Sequence, residues 1–332
     1  MGAMMNRPPV RPSRRVSMLA SLAVTAAALA LPGGALLAQG HGAGPYTVKE
    51  TGKRYERLQD AVNAIGGGTG TITIAPGRYA DCAVQEAGDV SYVANAPGSV
   101  IFDGTICEDK AALVFRGFNA SVSGITFQNM NSIYSGNAAG IRQEKGNLTV
   151  VQSWFRDSQQ GILGNADPSG RVVVDKSTFT NLGTCAYSGG CAHSIYIGEY
   201  GLVRVTRSRF ERGAGGHYLK SRSAQVQIAG NSFDDSNGRW SNYMIDLPLG
   251  ATGQITNNWF VQGPDHENHA ALIAIAAEGK KNSSDGLVIS GNDARLSPKV
   301  TWTTLFVADW SGDRLQIGEN KLGPGIKRFE KI

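Results

Sequence analysis

Charge is scarce in this chain. Only 18% of its 332 residues are Asp, Glu, Lys or Arg. That is too little for a surface-charged helical bundle, and 43 glycines point to a turn-rich β protein. The formal charge of +5 does not indicate nucleic acid. Arg7, Arg11, Arg14 and Arg15 precede the apolar run 18–31, and without residues 1–38 the balance is 28 bases against 27 acids. Beyond that run no apolar stretch is long enough to cross a bilayer, since 270–277 has only the length of a buried strand. Cysteines number four and none forms a C-x-x-C pair, which removes the usual spacing of a zinc site.

What is present begins with export. A basic start, an apolar run and a small-residue exit at Ala35–Ala38 describe a signal peptide over residues 1–38. Ser13-Arg14-Arg15-Val16-Ser17-Met18-Leu19 resembles a twin-arginine signal. The expected location is therefore the periplasm or the outside of the cell, with residues 39–332 as one mature domain and no membrane contact once the signal is removed. An even cysteine count in an exported chain favours disulfides. Cys185 and Cys191 bracket a short loop, and Cys82 and Cys107 lie 25 residues apart.

That spacing matches a repeat. The pattern apolar–x–(Ser/Asn/Gly)–x–aromatic or apolar ends at Phe127, Phe155, Phe179, Phe210, Phe233, Phe260, Ala294 and Leu322, at intervals of 23 to 34 residues. A second strand precedes each unit, as in "AGIRQ", "QGILG", "HSIYIG", "HYLKS", "YMIDL", "ALIAIA" and "TLFVAD". Short strands recurring about every 25 residues build a parallel β-helix, an all-β solenoid. From Phe155 to Phe260 the Asn or Ser two positions before the Phe stacks at a bend and bonds the backbone there, and the Phe fills the coil. One coil apart, Cys82 and Cys107 lie at about the 4.8 Å strand spacing. "RYERLQDAVNAIGGG" carries a helical apolar face of Leu58, Ala61, Val62 and Ile65, a short amphipathic cap over the first coil. "GPGIKRFEKI" is too short for another coil and is expected to cover the far end.

"LQDAVNAI…GTITIAPGRY", followed by the Asn/Ser–x–Phe coils, resembles the pectate-lyase-like superfamily of right-handed parallel β-helices over residues 46–322. The superfamily includes polysaccharide lyases, glycoside hydrolases, epimerases and adhesins. The resemblance thus implies a polysaccharide partner without fixing a reaction.

Aligning the upstream strands by their inward residues stacks Ile195, Leu219 and Ile245. Alternation then turns Tyr196, Lys220 and Asp246 outward, with Arg142 nearer the N-terminal end and Arg222 on the same face. His193, His217 and Tyr243 form a second column. Loops 187–191, 234–240 and 262–269 supply walls, and Glu278-Gly279 reads as a turn whose acid reaches the groove rim. Trp240, Trp259, Trp302 and Trp310 are candidates for sugar stacking, with Trp259 facing out on a different sheet.

A uronate polymer would need its carboxylate neutralised, a base for the C5 proton and an acid for the leaving oxygen. Lys220 has the chemistry of the base if a neighbouring cation lowers its pKa. Arg222 suits a bidentate carboxylate clamp. Tyr196, Tyr243 or His217 fits the acid, with His193, Asp246 and Arg142 as binding residues. The resemblance implies a Lys and an Arg as base and acid, as in β-helix alginate lyases. There they come from neighbouring coils; here they share a strand. No cofactor is expected; calcium stays open, with no clear acidic cluster for it, and Asp246 alone would hold it weakly. His266, Glu267 and His269 have metal-ligand chemistry but read more simply as a polar loop. Two other readings stand beside an acidic-polysaccharide lyase working as a monomer. One is a non-catalytic carbohydrate-binding or envelope β-helix. The other is a polygalacturonase-type hydrolase using Asp234 and Asp235 with the Gly-His element at 215–217.

Overall fold

The computed structural model describes residues 44–186 and 190–332. The signal-peptide reading of residues 1–38 lies outside them, as does most of the proposed wall at 187–191. The described residues wind into a right-handed parallel β-helix of about nine turns, with one short helix. Three sheets of 12, 10 and 10 strands run its length, and within each sheet a strand's neighbour comes from the next coil.

The repeat spans a corner, and this changes how it reads. What looks like one core strand is two, on either side of a sharp bend. Asn119–Ser123, for example, belongs to the first sheet and Ile125–Gln128 to the second. At seven successive bends one residue takes a left-handed conformation: Gly124, Gln152, Lys176, Arg207, Gly230, Asn257 and Gly291. Only three of the seven are glycine, so the other four accept a conformation that disfavours side chains. The next residue offsets that cost. The backbone N–H of Ser208 donates to Asn231 Oδ1 at 2.9 Å, that of Asn231 to Asn258 Oδ1 at 2.9 Å, and that of Asn258 to Asn292 Oδ1 at 2.9 Å. Asn231 and Asn258 also donate to the carbonyls of Val205 and Ile228, each at 2.9 Å. Backbone groups that a corner would leave unpaired are thus bonded from the neighbouring coil.

Behind the corner the phenylalanines stack. From Phe127 through Phe155, Phe179, Phe210 and Phe233 to Phe260, successive ring centroids are 4.7 to 5.1 Å apart and nearly parallel, and all six rings are buried.

The two ends differ. The helix Leu58–Ile65 buries Leu58, Ala61 and Val62 over the first coil, and the Gln59 side chain bonds both the N–H and the carbonyl of Val84, satisfying an open strand. The hairpin of Tyr46–Val48 and Lys53–Tyr55 pairs antiparallel to the first long strand. At the far end Ile326–Lys331 pairs in parallel with Thr304–Asp309, so this segment completes a last coil, where the sequence suggested a cover. Both disulfides form: Cys82–Cys107 with Cα atoms 5.6 Å apart, and Cys185–Cys191. No helix among the described residues is long and apolar enough to cross a membrane.

Candidate active site

The third sheet carries the candidate residues. Its register pairs Ile195 with Leu219 and Leu219 with Ile245, all buried inside the coil. Tyr196 therefore pairs with Lys220, and Lys220 with Asp246, on the outer face. The same column continues through Leu163, Arg142 and Val114 toward the N-terminus, and through Ala274 and Ala308 toward the C-terminus. Two charged residues are adjacent only at Lys220 and Asp246, between Tyr196 on one side and Ala274 and Ala308 on the other.

Lys220 is 7% exposed and Asp246 2% exposed, so this pair is an interior one and not a surface contact. Lys220 Nζ lies 3.2 Å from Asp246 Oδ2 and 2.5 Å from Glu278 Oε1. The second Glu278 oxygen accepts from Arg222 Nη2. Arg222 Nε donates to the Tyr196 hydroxyl oxygen at 2.8 Å, and both cations lie over the Tyr196 ring. Lys220 and Arg222 therefore hold one carboxylate between them, with a phenol directly alongside.

The second column stacks as the register requires. His193 and His217 are 4.9 Å apart, His217 and Tyr243 5.5 Å apart, and His193 meets Tyr196 edge-on. The His217 backbone N–H donates to His193 Nδ1 at 2.9 Å, which places the His193 proton on Nε2. His217 Nε2 lies 3.3 Å from Asp246 Oδ2. Burial, reinforced by Lys220 and Arg222, pushes His193 down to about 3. Burial and then His193 hold His217 well below its ordinary value, so both rings are neutral at pH 7.

Charges in the first column settle differently. Burial pushes Asp246 up to about 6, moderated by Lys220. Burial works against the Lys220 ammonium, but Asp246 and Glu278 outweigh it, and its pKa is raised. The expected lowering of the Lys220 pKa by a neighbouring cation is thus overturned: two carboxylates reach Lys220 and only one guanidinium does. Burial opposes the Glu278 charge as well, and the two cations still hold its pKa below the ordinary value.

Arg142 stands apart from this cluster. Its Nη2 donates to Asn165 Oδ1 at 2.5 Å, and burial lowers its pKa. It lines the same groove as Arg222, a space of about 490 Å³ along the sheet bordered also by Asn165, Tyr196 and Glu199. Lys220, His217, Asp246 and Tyr243 lie beyond that groove toward the C-terminal end. Sequence reasoning missed Asn165, which follows its strand outside the repeated pattern. Glu278 was placed only at the rim, but it enters the site.

The hydrolase pair is not assembled. Asp235 is wholly buried, accepting from Tyr218 Oη at 2.6 Å and from Ser241 Oγ at 2.5 Å, and Asp234 binds Ser236. Neither arrangement can flank a glycosidic bond. The residues His266, Glu267 and His269 diverge: His266 bonds the Asn268 carbonyl, Glu267 accepts from Asn242, and His269 stacks on Trp302. Trp259 faces outward on the second sheet, 38% exposed, as expected from its place in the repeat, and Trp240 is 66% exposed.

No protein-family model matches the chain, and no curated protein matches it in sequence. Solved structures do. The chain is similar to ORF18 of Geobacillus virus E2, at 15% identity and a TM-score of 0.54, over 82% of this chain and 56% of that one. It is also similar to the PL6 family alginate lyase AlyGC, at 13% identity and a TM-score of 0.42, over 80% of this chain and 39% of that one. A pectin methylesterase solved with a hexasaccharide aligns at 10% identity and a TM-score of 0.36, over 85% of this chain and 79% of that one. What the viral protein shares with it is the fold. The chain spans little more than half of the viral protein and well under half of the alginate lyase.

Proposed function

We propose that this protein acts on an acidic polysaccharide by β-elimination at a uronate residue bound where the groove from Arg142 to Arg222 meets Lys220. One observation carries this reading: Lys220 and Arg222 form a fork around a carboxylate, with the Tyr196 oxygen at the same guanidinium. A uronate carboxylate in that fork would be neutralised by two cations, which acidifies the adjacent C5–H. Lys220, held as an ammonium, has no lone pair for that proton, so its role is to bind. The proton-transfer group is Tyr196, whose oxygen accepts from Arg222, a hydrogen bond that strengthens as negative charge develops there. The Tyr196 oxygen takes the C5 proton as its own hydroxyl proton passes to the departing oxygen, the C4–C5 double bond forms and the C4–O bond breaks. His217 and Asp246 position Lys220, while His193 and Tyr243 position His217.

Two disulfides are compatible with a periplasmic or extracellular site of action. The test uses purified protein with alginate, polygalacturonate and glycosaminoglycans, each with and without calcium, and follows the ultraviolet absorbance of an unsaturated uronate. The expected result is a rise on one polymer, abolished by Tyr196→Phe and by Arg222→Ala. New reducing ends without absorbance would replace elimination with hydrolysis. Binding without either signal would make the protein a carbohydrate-binding β-helix.

A further inference from the structure

Glu278 comes from outside the coil that it serves. It lies in the segment after the strand Ala271–Ile275, two coils beyond the strand Leu219–Ser221, which carries Lys220 and leads into Arg222. The backbone of this segment is tied down. The N–H groups of Glu278, Lys281 and Asn282 donate to the carbonyls of Pro248, Leu249 and Leu249 at 3.0, 3.0 and 2.9 Å, and Asn282 Nδ2 donates to the Gly250 carbonyl at 3.0 Å. Lys281 reaches Glu199 on the groove border at 2.5 Å. The Glu278 side chain, by contrast, is 40% exposed, and its described ion pairs are those with Lys220 and Arg222. One oxygen goes to each cation, the same division that a bound uronate carboxylate would adopt.

We infer that Glu278 is a built-in stand-in for the substrate carboxylate, and that its side chain swings out when an anionic sugar enters. This deepens the proposed function and rests on its reading of the fork as a carboxylate site. The arrangement makes the site selective. A uronate that displaces Glu278 restores both charge-assisted contacts, so the exchange is nearly balanced. An uncharged sugar leaves Lys220 and Arg222 facing it without their carboxylate, so a neutral glycan does not open the site. The stand-in also lowers the apparent affinity for the true ligand in proportion to the time it occupies the fork.

The experiment uses the full chain and the variants Glu278→Gln and Glu278→Ala, with thermal melting to verify folding. Two probes are titrated: acetate, a bare carboxylate observed through the Arg222 Nε–H resonance, and oligosaccharides of the polymers named above, with their carboxyl-reduced counterparts. Acetate is expected to shift that resonance in both variants and to do so at about tenfold higher concentration in the parent protein. If Glu278 fills the fork about nine-tenths of the time, acidic oligosaccharides bind the variants roughly tenfold more tightly. Carboxyl-reduced oligosaccharides gain nothing from that exchange. Weaker acidic binding in the variants would overturn the inference and make Glu278 part of the binding machinery. Equal acetate response in parent and variants would overturn it too. Acetate binding to the variants without binding of any uronate oligomer would uphold the stand-in and defeat the polysaccharide reading instead.

Discussion

Two ladders run along this solenoid, and they differ in one respect. At the corner between the first and second sheets, five successive coils repeat the same chemistry: Ser153, Ser177, Ser208, Asn231 or Asn258 at the bend, then Phe inside. On the outer face of the third sheet, three adjacent coils present Tyr196, Lys220 and Asp246, a different group each time. The stacking geometry is the same in both. Repetition allows each residue to bond or pack against an identical copy, which stabilises the fold without creating a unique place. The outer column breaks repetition over three coils and places buried charges there, where each is compensated by its neighbours. In a repeat protein the departures from the pattern identify the site, because the pattern already accounts for the core.

The comparison can be broken at either ladder. The largest effect is expected from Phe210→Ala, which leaves a ring-sized gap between Phe179 and Phe233. It should cost about 3–5 kcal/mol in denaturant unfolding and leave the preference for acidic over neutral sugars unchanged.

Lys220→Met comes next. It strands the buried Asp246 beside His217 and should cost about 3 kcal/mol. Adding Asp246→Leu removes the stranded charge and should recover most of that stability, while sugar binding stays lost. A double variant that regains binding would show that the column is only structural.

A smaller effect separates the ladders by pH. His193 and His217 are neutral in the fold with lowered pKa values, while the unfolded chain takes up their protons below about pH 6.5. Stability is therefore lost as pH falls through that value. His266, lowered to about 4 chiefly by burial, acts in the same direction. Asp246 and Asp235, both raised to about 6 chiefly by burial, act oppositely and add stability as pH falls from 6 toward 4. The histidine shifts are larger, so the net loss from pH 7 to pH 5 should be on the order of 2 kcal/mol. The destabilisation by Phe210→Ala should hardly depend on pH, because its ladder contains no titratable group. That by Lys220→Met should shrink below pH 6, where Asp246 is protonated.

Most of the fold was legible because a coil is short and its residues recur. The Asn/Ser–x–Phe spacing located the corner, and the inward Ile and Leu residues fixed the third-sheet register, which a one-residue slip would have inverted. The split of each repeat into two strands was hidden because Gln152, Lys176 and Arg207 adopt the left-handed bend without a glycine to mark it. Within the site, Tyr196, Lys220, Asp246 and the His193–His217–Tyr243 stack followed from register alone. The charge state of Lys220 followed only in part, because Asp246 is helped by Glu278, which is 58 residues away and arrives from a loop outside the repeat. Burial of Asp235 was equally hidden, since its partners Tyr218 and Ser241 lie on other segments of the coil.

The most direct test of the account is a calorimetric titration of one acidic oligosaccharide and its carboxyl-reduced twin against the parent protein and Arg222→Ala. The fork predicts binding of the acidic sugar to the parent alone and no binding of the reduced sugar to either protein. Equal binding of both sugars, or acidic binding that survives Arg222→Ala undiminished, would contradict it.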